Sequence, residues 1–202
     1  MKYSDIKELY YICHIDNLAS IFKEGILCHT KARELKYKDV SMREVQVKRE
    51  IKTVPGGMNL HNYANLYFDA RNPMLRKRLD ADEILCVLAV NKQVMKQQGA
   101  IVTDGNAASG YTRFYPSPEG ADFLDADLIF AKYWKDSKDD KITQFVKKRM
   151  KCAEVLIPYK IAQGNIMRVY VSNEQTKGKI VNEKIPGDVI INKYLFFQEG
   201  EA

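Results

Sequence analysis

The sequence predicts a mixed α+β domain with a substantial antiparallel or split sheet, and three observations carry that expectation. Short apolar and aromatic runs recur along the chain, at residues 9–13, 64–68, 84–90, 100–103, 152–157, 166–171 and 189–197, and read as strands. Helical patterns lie among them, at residues 16–25, 41–52, 123–134, 141–151 and 173–182. No internal repeat, low-complexity tract or interdomain linker divides the 202 residues, and 46% hydrophobic content supplies one normal core. One domain over residues 1–202 is the expectation.

The elements follow in order. Residues 9–13 form an apolar, aromatic strand; Asp16 then offers an N-cap to a helix with Leu18, Ile21 and Phe22 on one face, closed by Gly25. Ser41-Met42-Arg43-Glu44 has capping-box spacing and opens a helix to about Lys52, ahead of Pro55. Of the strands that follow, residues 84–90 are apolar enough to be central. Helices at 123–134 and 141–151 precede the strand at 152–157, and a polar helix at 173–182 separates the last two strands.

Bulk properties narrow the classes. The Met1 end lacks an apolar run long enough for a signal peptide or a membrane span, so a cytoplasmic protein without membrane contact is expected. Cys13, Cys28, Cys86 and Cys152 lie far apart without Cys-x-x-Cys spacing, which favours reduced thiols over a disulfide framework or zinc ribbon. Cys13-His14 and Cys28-His29 invite a zinc reading, but adjacent strand residues point opposite ways, and no metal is expected. The glycines match neither a P-loop nor a dinucleotide fingerprint. The net charge of +6 is unevenly spread: residues 31–52, 71–82 and 132–151 carry +4, +2 and +5. Such runs are either solvated helix faces or a polyanion surface built from segments that converge.

Two residues stand out chemically. In Cys152-Ala153-Glu154-Val155-Leu156-Ile157-Pro158, period-two alternation puts Glu154 with Cys152 and Leu156 on one face, leaving a carboxylate mid-strand between apolar neighbours. An ionised carboxylate is costly to bury, so Glu154 is either an edge residue facing water or one facing a fixed cation, a donor or a polar cleft. On the helix from Ser41, Met42, Val45, Gln46 and Arg49 share one face, and Lys48 lies about 100° round. An arginine on an apolar face either snorkels or makes bidentate contacts to carboxylate or phosphate. Tyr67, Phe68, Tyr111, Phe114, Tyr115, Tyr133 and Trp134 read as core, yet they lie close to Arg71, Arg113 and Lys132, the mixture that stacks bases and grips phosphates.

Several ordered motifs resemble the DarT-type DNA ADP-ribosyltransferases, the toxins of DarT and DarG toxin-antitoxin pairs. Tyr10-Tyr11-Ile12-Cys13-His14-Ile15-Asp16-Asn17-Leu18 is similar to the family's NAD-binding segment and Glu44-Val45-Gln46-Val47-Lys48-Arg49 to its arginine helix. Leu60-His61-Asn62-Tyr63-Ala64-Asn65-Leu66-Tyr67-Phe68-Asp69-Ala70-Arg71-Asn72-Pro73-Met74-Leu75 is the most specific match, supported by Thr103-Asp104-Gly105-Asn106-Ala107-Ala108. Ala153-Glu154-Val155-Leu156 resembles the strand bearing the catalytic glutamate. There are two departures: Tyr11 stands where the family usually has histidine, and the paired arginines are here Lys48 and Arg49.

The resemblance implies the ADP-ribosyltransferase fold, a split central β-sheet with an NAD crevice flanked by helices. It implies NAD as a consumed co-substrate, Glu154 and Arg49 as catalytic residues, and NAD contacts from Tyr11, Cys13, His14, Asn17, Tyr67, Phe68 and Arg71. It further implies single-stranded DNA as acceptor, gripped by Tyr111, Arg113, Lys147, Lys148 and Arg149. Guanine is favoured over thymine, because Arg149-Met150-x-x-Ala153-Glu154-Val155-Leu156-Ile157-Pro158 is more similar to the guanine-directed branch. The implied partner is a macrodomain antitoxin of the DarG type, and a monomer is expected. Residues alone leave two other classes open: a non-catalytic single-stranded nucleic-acid-binding module, and an NAD glycohydrolase or glycosidase, although a glycosidase needs a second carboxylate that is not evident.

Overall fold

A computed structural model describes residues 1–79 and 84–198. Asp80 and Asp82, part of the second basic segment, lie outside the described residues. Among the described residues ten strands form: β1 Glu8–His14, β2 Ile26–Leu27, β3 Tyr63–Tyr67, β4 Leu85–Asn91, β5 Ile101–Thr103, β6 Phe114–Pro116, β7 Glu154–Pro158, β8 Lys160–Ile161, β9 Ile166–Val171 and β10 Asp188–Ile191. Seven α-helical segments accompany them among the described residues: α1 Leu18–Glu24, α2 His29–Ala32, α3 Arg43–Glu50, α4 Pro73–Leu79, α5 Ala126–Ile129, α6 Lys141–Met150 and α7 Glu174–Asn182.

Eight strands make one sheet in the order β10-β9-β4-β1-β3-β7-β5-β6, antiparallel throughout except for β10 beside β9. The middle of that sheet is where it fails to zip. β1 pairs with β4 along its whole length, from Glu8 with Asn91 to His14 with Leu85, whereas it meets β3 at one register pair, Tyr10 with Tyr67. Beyond that pair the two halves part, so the expected split is present as a geometric fact. β4 is buried from Leu85 to Val90 because its neighbours β1 and β9 cover both edges and apolar clusters cover both faces, as its unbroken apolar run predicts.

Alternation decides which face each side chain serves. Ala153, Val155 and Ile157 join the main core with Leu9, Leu66, Leu88 and Val169, over which α1 packs Leu18 and Ile21 and α7 packs Ile180. Each such fully buried aliphatic side chain contributes roughly 1.5–3 kcal/mol relative to exposure. On the other face Leu156 packs with Val54, Leu60, Tyr63 and Ala107, and Glu154 lies on this face too.

Four local expectations are corrected. Asp16 does not cap α1; it lies in a 3-10 turn over Ile15–Asn17, and that turn is capped by His14, whose Nδ1 accepts the Asp16 N–H at 3.1 Å. The Ser41 capping box does not form: Ser41 donates its N–H to Asp39, and Glu44 pairs with Lys77 at 3.4 Å, so α3 starts from Met42 without a side-chain cap. The helix expected at 123–134 shrinks to α5, because the Ile129 carbonyl that a longer helix would use accepts from Lys151 Nζ at 2.9 Å. The strand expected at 189–197 stops at Ile191, where the Asn192 side chain takes the Leu195 N–H at 3.2 Å and turns the chain.

Candidate active site

A crevice of about 470 Å³ opens where β1 and β3 part. One wall is Tyr11, Ile12 and Cys13 of β1; the facing wall is Tyr63, Asn65 and Tyr67 of β3 with Glu154 of β7. α3 closes one side with Val45, Gln46, Lys48 and Arg49, and α6 reaches in with Phe145, Lys148 and Arg149.

Glu154 is 1% exposed and held on both carboxylate oxygens. Arg49 Nη1 donates to Oε2 at 2.9 Å, and the Ala107 backbone N–H donates to Oε1 at 2.9 Å. The Glu154 N–H donates to Thr103 Oγ1 at 3.0 Å, which fixes the start of β7 against the end of β5. A carboxylate with a cation on one oxygen and an N–H on the other is held in a single orientation. Arg49 is 5% exposed, and its other terminal nitrogen, Nη2, is buried without a hydrogen-bond partner. An orphaned guanidinium N–H on a crevice wall is a donor held for an anionic or polar guest.

The loop that supplies Ala107 is clamped from behind. Arg149 Nη1 bonds Asp104 Oδ1 at 2.7 Å, and the Arg149 carbonyl accepts the Asn106 N–H at 3.1 Å. A Cβ on Gly105 would lie 2.6 Å from Arg149 Nη1 and 3.0 Å from the Arg149 carbonyl oxygen, so glycine is required by close approach. Lys52 joins this loop to α3 by donating to the Ser109 carbonyl at 2.5 Å, and its burial lowers the ammonium pKa. Burial, with the adjacent Glu154 charge second, holds the Tyr67 phenol far above its ordinary value; the same causes push the Cys152 thiol up to about 12. Both side chains meet the crevice neutral.

Of the residues singled out in the sequence, Tyr11, Cys13, Asn17, Arg49, Tyr67, Lys148, Arg149 and Glu154 line the crevice. Asn17 has both halves of its amide committed to Lys38, donating to its carbonyl and accepting its N–H, each at 2.8 Å. It therefore pins the segment over the crevice and has little left for a ligand. Three expected NAD contacts are placed elsewhere. Phe68, the first residue past β3, lies in the main core, 1% exposed. His14 is occupied with the turn at Asp16. Arg71 lies over Tyr194 and Phe197, with Cζ 4.5 and 4.4 Å from their ring centres, and donates to the Tyr194 carbonyl at 2.5 Å; it fastens the C-terminal segment.

The expected DNA contacts also divide. Tyr111 is 76% exposed and stands edge-on to Phe145 at 5.6 Å, at the rim. Arg113 is exposed outside the crevice lining, and Lys147 is paired with Asp139 at 2.7 Å. The three basic segments do each reach the crevice, through Lys38, Lys48 and Arg49, through Lys77, and through Lys148 and Arg149. Sequence reasoning assigned no site role to Ala107, Thr103 or Lys52. Ala107 acts through its backbone and carries no side-chain signal, while Thr103 directly before Asp104-Gly105 was legible as a strand end meeting a tight turn. Among the described residues no group of three or more His, Cys, Asp and Glu side chains could hold a metal ion, and no helix is long and apolar enough to cross a membrane.

The family described as ssDNA thymidine ADP-ribosyltransferase, DarT, matches residues 10–197. The chain belongs to the DarT family. A DNA ADP-ribosyl transferase and DNA ADP-ribosyl glycohydrolase fusion protein of Thermosipho africanus is 34% identical over 203 residues. That match takes in 95% of this chain and 50% of the fusion, so the chain spans half of that relative's length. A DNA ADP-ribosyl transferase of Thermus sp. is 30% identical over 148 residues, covering 66% of this chain and 69% of its own. Among solved structures, Thermosipho africanus DarTG in complex with ADP-ribose superposes with a TM-score of 0.80 at 29% identity, over 95% of this chain and 51% of that one. Thermus sp. DarT in complex with ADP-ribosylated ssDNA superposes at 0.82, over 97% and 99%, and at 23% identity this shows the shared fold. The α+β architecture with a large, mostly antiparallel sheet is thus that of the DarT ADP-ribosyltransferases.

Proposed function

We propose that this protein consumes NAD to transfer ADP-ribose onto a base of single-stranded DNA, acting through one domain as the toxin of a toxin-antitoxin pair. The observation that carries this reading is the buried Glu154 carboxylate, fixed by Arg49 and the Ala107 N–H at the floor of a crevice in a DarT-family chain. The crevice fits a dinucleotide in kind: it offers an orphaned guanidinium nitrogen for pyrophosphate, aromatic surface from Tyr11 and Tyr67, and a carboxylate for ribose.

Loss of nicotinamide leaves positive charge growing on the ribose anomeric carbon. Glu154 is preorganised to stabilise that charge and to accept from a ribose hydroxyl with the lone pairs that Arg49 and Ala107 leave free. Because its dipolar surroundings are already in place, little reorganisation accompanies the step. Arg49 orients the carboxylate and offers Nη2 to phosphate or acceptor. Tyr11 and Cys13 border the ligand from β1, Tyr67 stacks from β3, and Lys148 and Tyr111 meet the strand at the rim. A base in a single strand avoids the cost of extrusion from a duplex.

The acceptor base has two pointers: the run from Arg149 to Pro158 resembles the guanine-directed branch, while the matching family is described for thymidine. We favour guanine. The Thermosipho relative joins transferase to glycohydrolase in one chain, which supports a DarG-like macrodomain as the partner that reverses the mark. The deciding experiment incubates the protein with NAD and four single-stranded oligonucleotides, each lacking one base, followed by mass spectrometry. An ADP-ribose adduct on every strand but the one without guanine is expected. Free ADP-ribose without adduct would make the protein a hydrolase, and binding without consumption of NAD would make it a binding module.

A further inference from the structure

We propose that a platform beside the crevice mouth, formed by α2, residues 59–62 and the connection from β7 to β8, docks one nucleotide of the DNA strand outside the reaction centre. Tyr159 stacks on its base and Lys31 holds its phosphate. The inference rests on the reading of the protein as a transferase acting on single-stranded DNA.

Tyr159 occupies a backbone conformation that its side chain disfavours. Its φ is 61°, in the left-handed region where a turn is normally given to glycine or asparagine. A connection needed only to reverse the chain gains nothing from tyrosine there, and strain of this kind collects at binding sites. The main chain leaves no freedom to relax it: the Tyr159 N–H donates to the Asn62 carbonyl at 2.8 Å, and the Tyr159 carbonyl accepts the Cys28 N–H at 2.8 Å. Thr30 Oγ1 completes the stitching by donating to the His61 carbonyl at 3.1 Å.

The ring so fixed is 48% exposed, with Lys31 Nζ 5.3 Å from its centre. Lys160 follows it on the surface, and Arg33 and Lys36 are exposed just past α2. An exposed aromatic face beside cations is the sequence-tolerant arrangement that holds single-stranded nucleic acid. The platform is continuous with the crevice: His29, Leu27 and Ala32 line it, and the His29 ring packs on His61 with centres 4.2 Å apart. Tyr159 and Lys31 themselves lie outside the crevice lining, which separates their contact from those of a nucleotide held within. From Glu154 at the other end of β7, Tyr159 is five residues away, about 16 Å along an extended strand. That is a reach of two or three nucleotides.

The test measures affinity of the full chain for oligonucleotides lengthened one nucleotide at a time on either side of the modified base. Wild type is expected to gain about ten-fold when the nucleotide that reaches Tyr159 is added, the size of one base stack. Tyr159→Ala loses that gain and Tyr159→Phe keeps it. Tyr159→Gly loses the gain while melting at least as high as wild type, because the backbone strain is relieved. Lys31→Gln reduces the log-log salt slope by about 0.7, one phosphate on a single strand. A Tyr159→Ala protein that retains the full length-dependent gain would overturn the inference while leaving the transferase reading intact. A rise in KM for NAD without change in DNA affinity would assign the platform to NAD and overturn it equally. A wild type that neither binds nor modifies any oligonucleotide would instead remove the underlying reading.

Discussion

The floor and the rim of the crevice are built on opposite principles. At the floor, Glu154 and Arg49 are buried and every oxygen of the carboxylate is engaged, from a helix on one side and a backbone N–H on the other. At the rim, Tyr111 and Phe145 touch only edge to face and are largely exposed, and Lys148 faces the opening. A developing charge is best met by groups that do not move, and a flexible polymer by aromatic and cationic side chains that tolerate variation. Fixed groups cost desolvation that their partners must offset; exposed groups cost little and contribute little singly.

Substitutions should respect that division. The largest effect is expected for Glu154→Gln, which keeps the shape of the floor and removes its charge: transfer should fall by about 10³-fold or more, with DNA affinity within two-fold by anisotropy. Near-wild-type turnover would place the chemistry elsewhere. Arg49→Met should cost about 10²–10³ in kcat and also lower the melting temperature, since it leaves the Glu154 carboxylate buried beside a thioether. A rise in KM for NAD alone would make Arg49 a binding group only.

Arg71→Ala probes a buried cation that is not at the floor. Releasing Tyr194 and Phe197 should destabilise by about 2–4 kcal/mol in chemical denaturation, with KM for NAD unchanged at a temperature where the variant is folded. A selective KM effect would return Arg71 to the ligand site. At the rim, Tyr111→Ala should weaken DNA about ten-fold and leave NAD turnover without DNA untouched.

The smallest effect concerns pH. Burial lowers the pKa of both His29 and His61, so the neutral rings are the folded form. A depressed folded pKa gives stability that is present above the ordinary value of 6.5 and lost as pH falls below it. His61 also bonds Gln46 on α3 at 2.9 Å, so the loss should be felt beside Arg49. Melting curves from pH 7.5 to 5 should show His61→Phe losing less stability than wild type; parallel curves would exclude the pair as the source.

What could be read from the sequence follows the same line. Alternation around Glu154 and helical phase around Arg49 are local, and both survive in the structure: Arg49 is the buried member and Lys48 the exposed one. The strands of the central sheet other than β6, a three-residue edge strand at Phe114–Pro116, were legible for the same reason. Elements that failed are those settled by distant partners. α5 is shortened by Lys151, 22 residues on, and β10 gives way to a turn whose carbonyl at Tyr194 is claimed by Arg71 from 123 residues away. Phe68 and Arg71 were expected at the ligand because their motif is; three-dimensional packing sends one to the core and the other to the C-terminal segment.

The single register pair between β1 and β3 has a consequence for how the site ages under mutation. A strand that leaves its neighbour exposes the peptide groups that pairing would have consumed, and along Tyr11, Ile12 and Cys13 these border the crevice. Peptide groups are common to all residues except proline, which lacks the donor, so recognition that leans on them outlasts exchange of the side chain above. Exchange of the side chain at Tyr11 is the kind of change that such an inheritance absorbs.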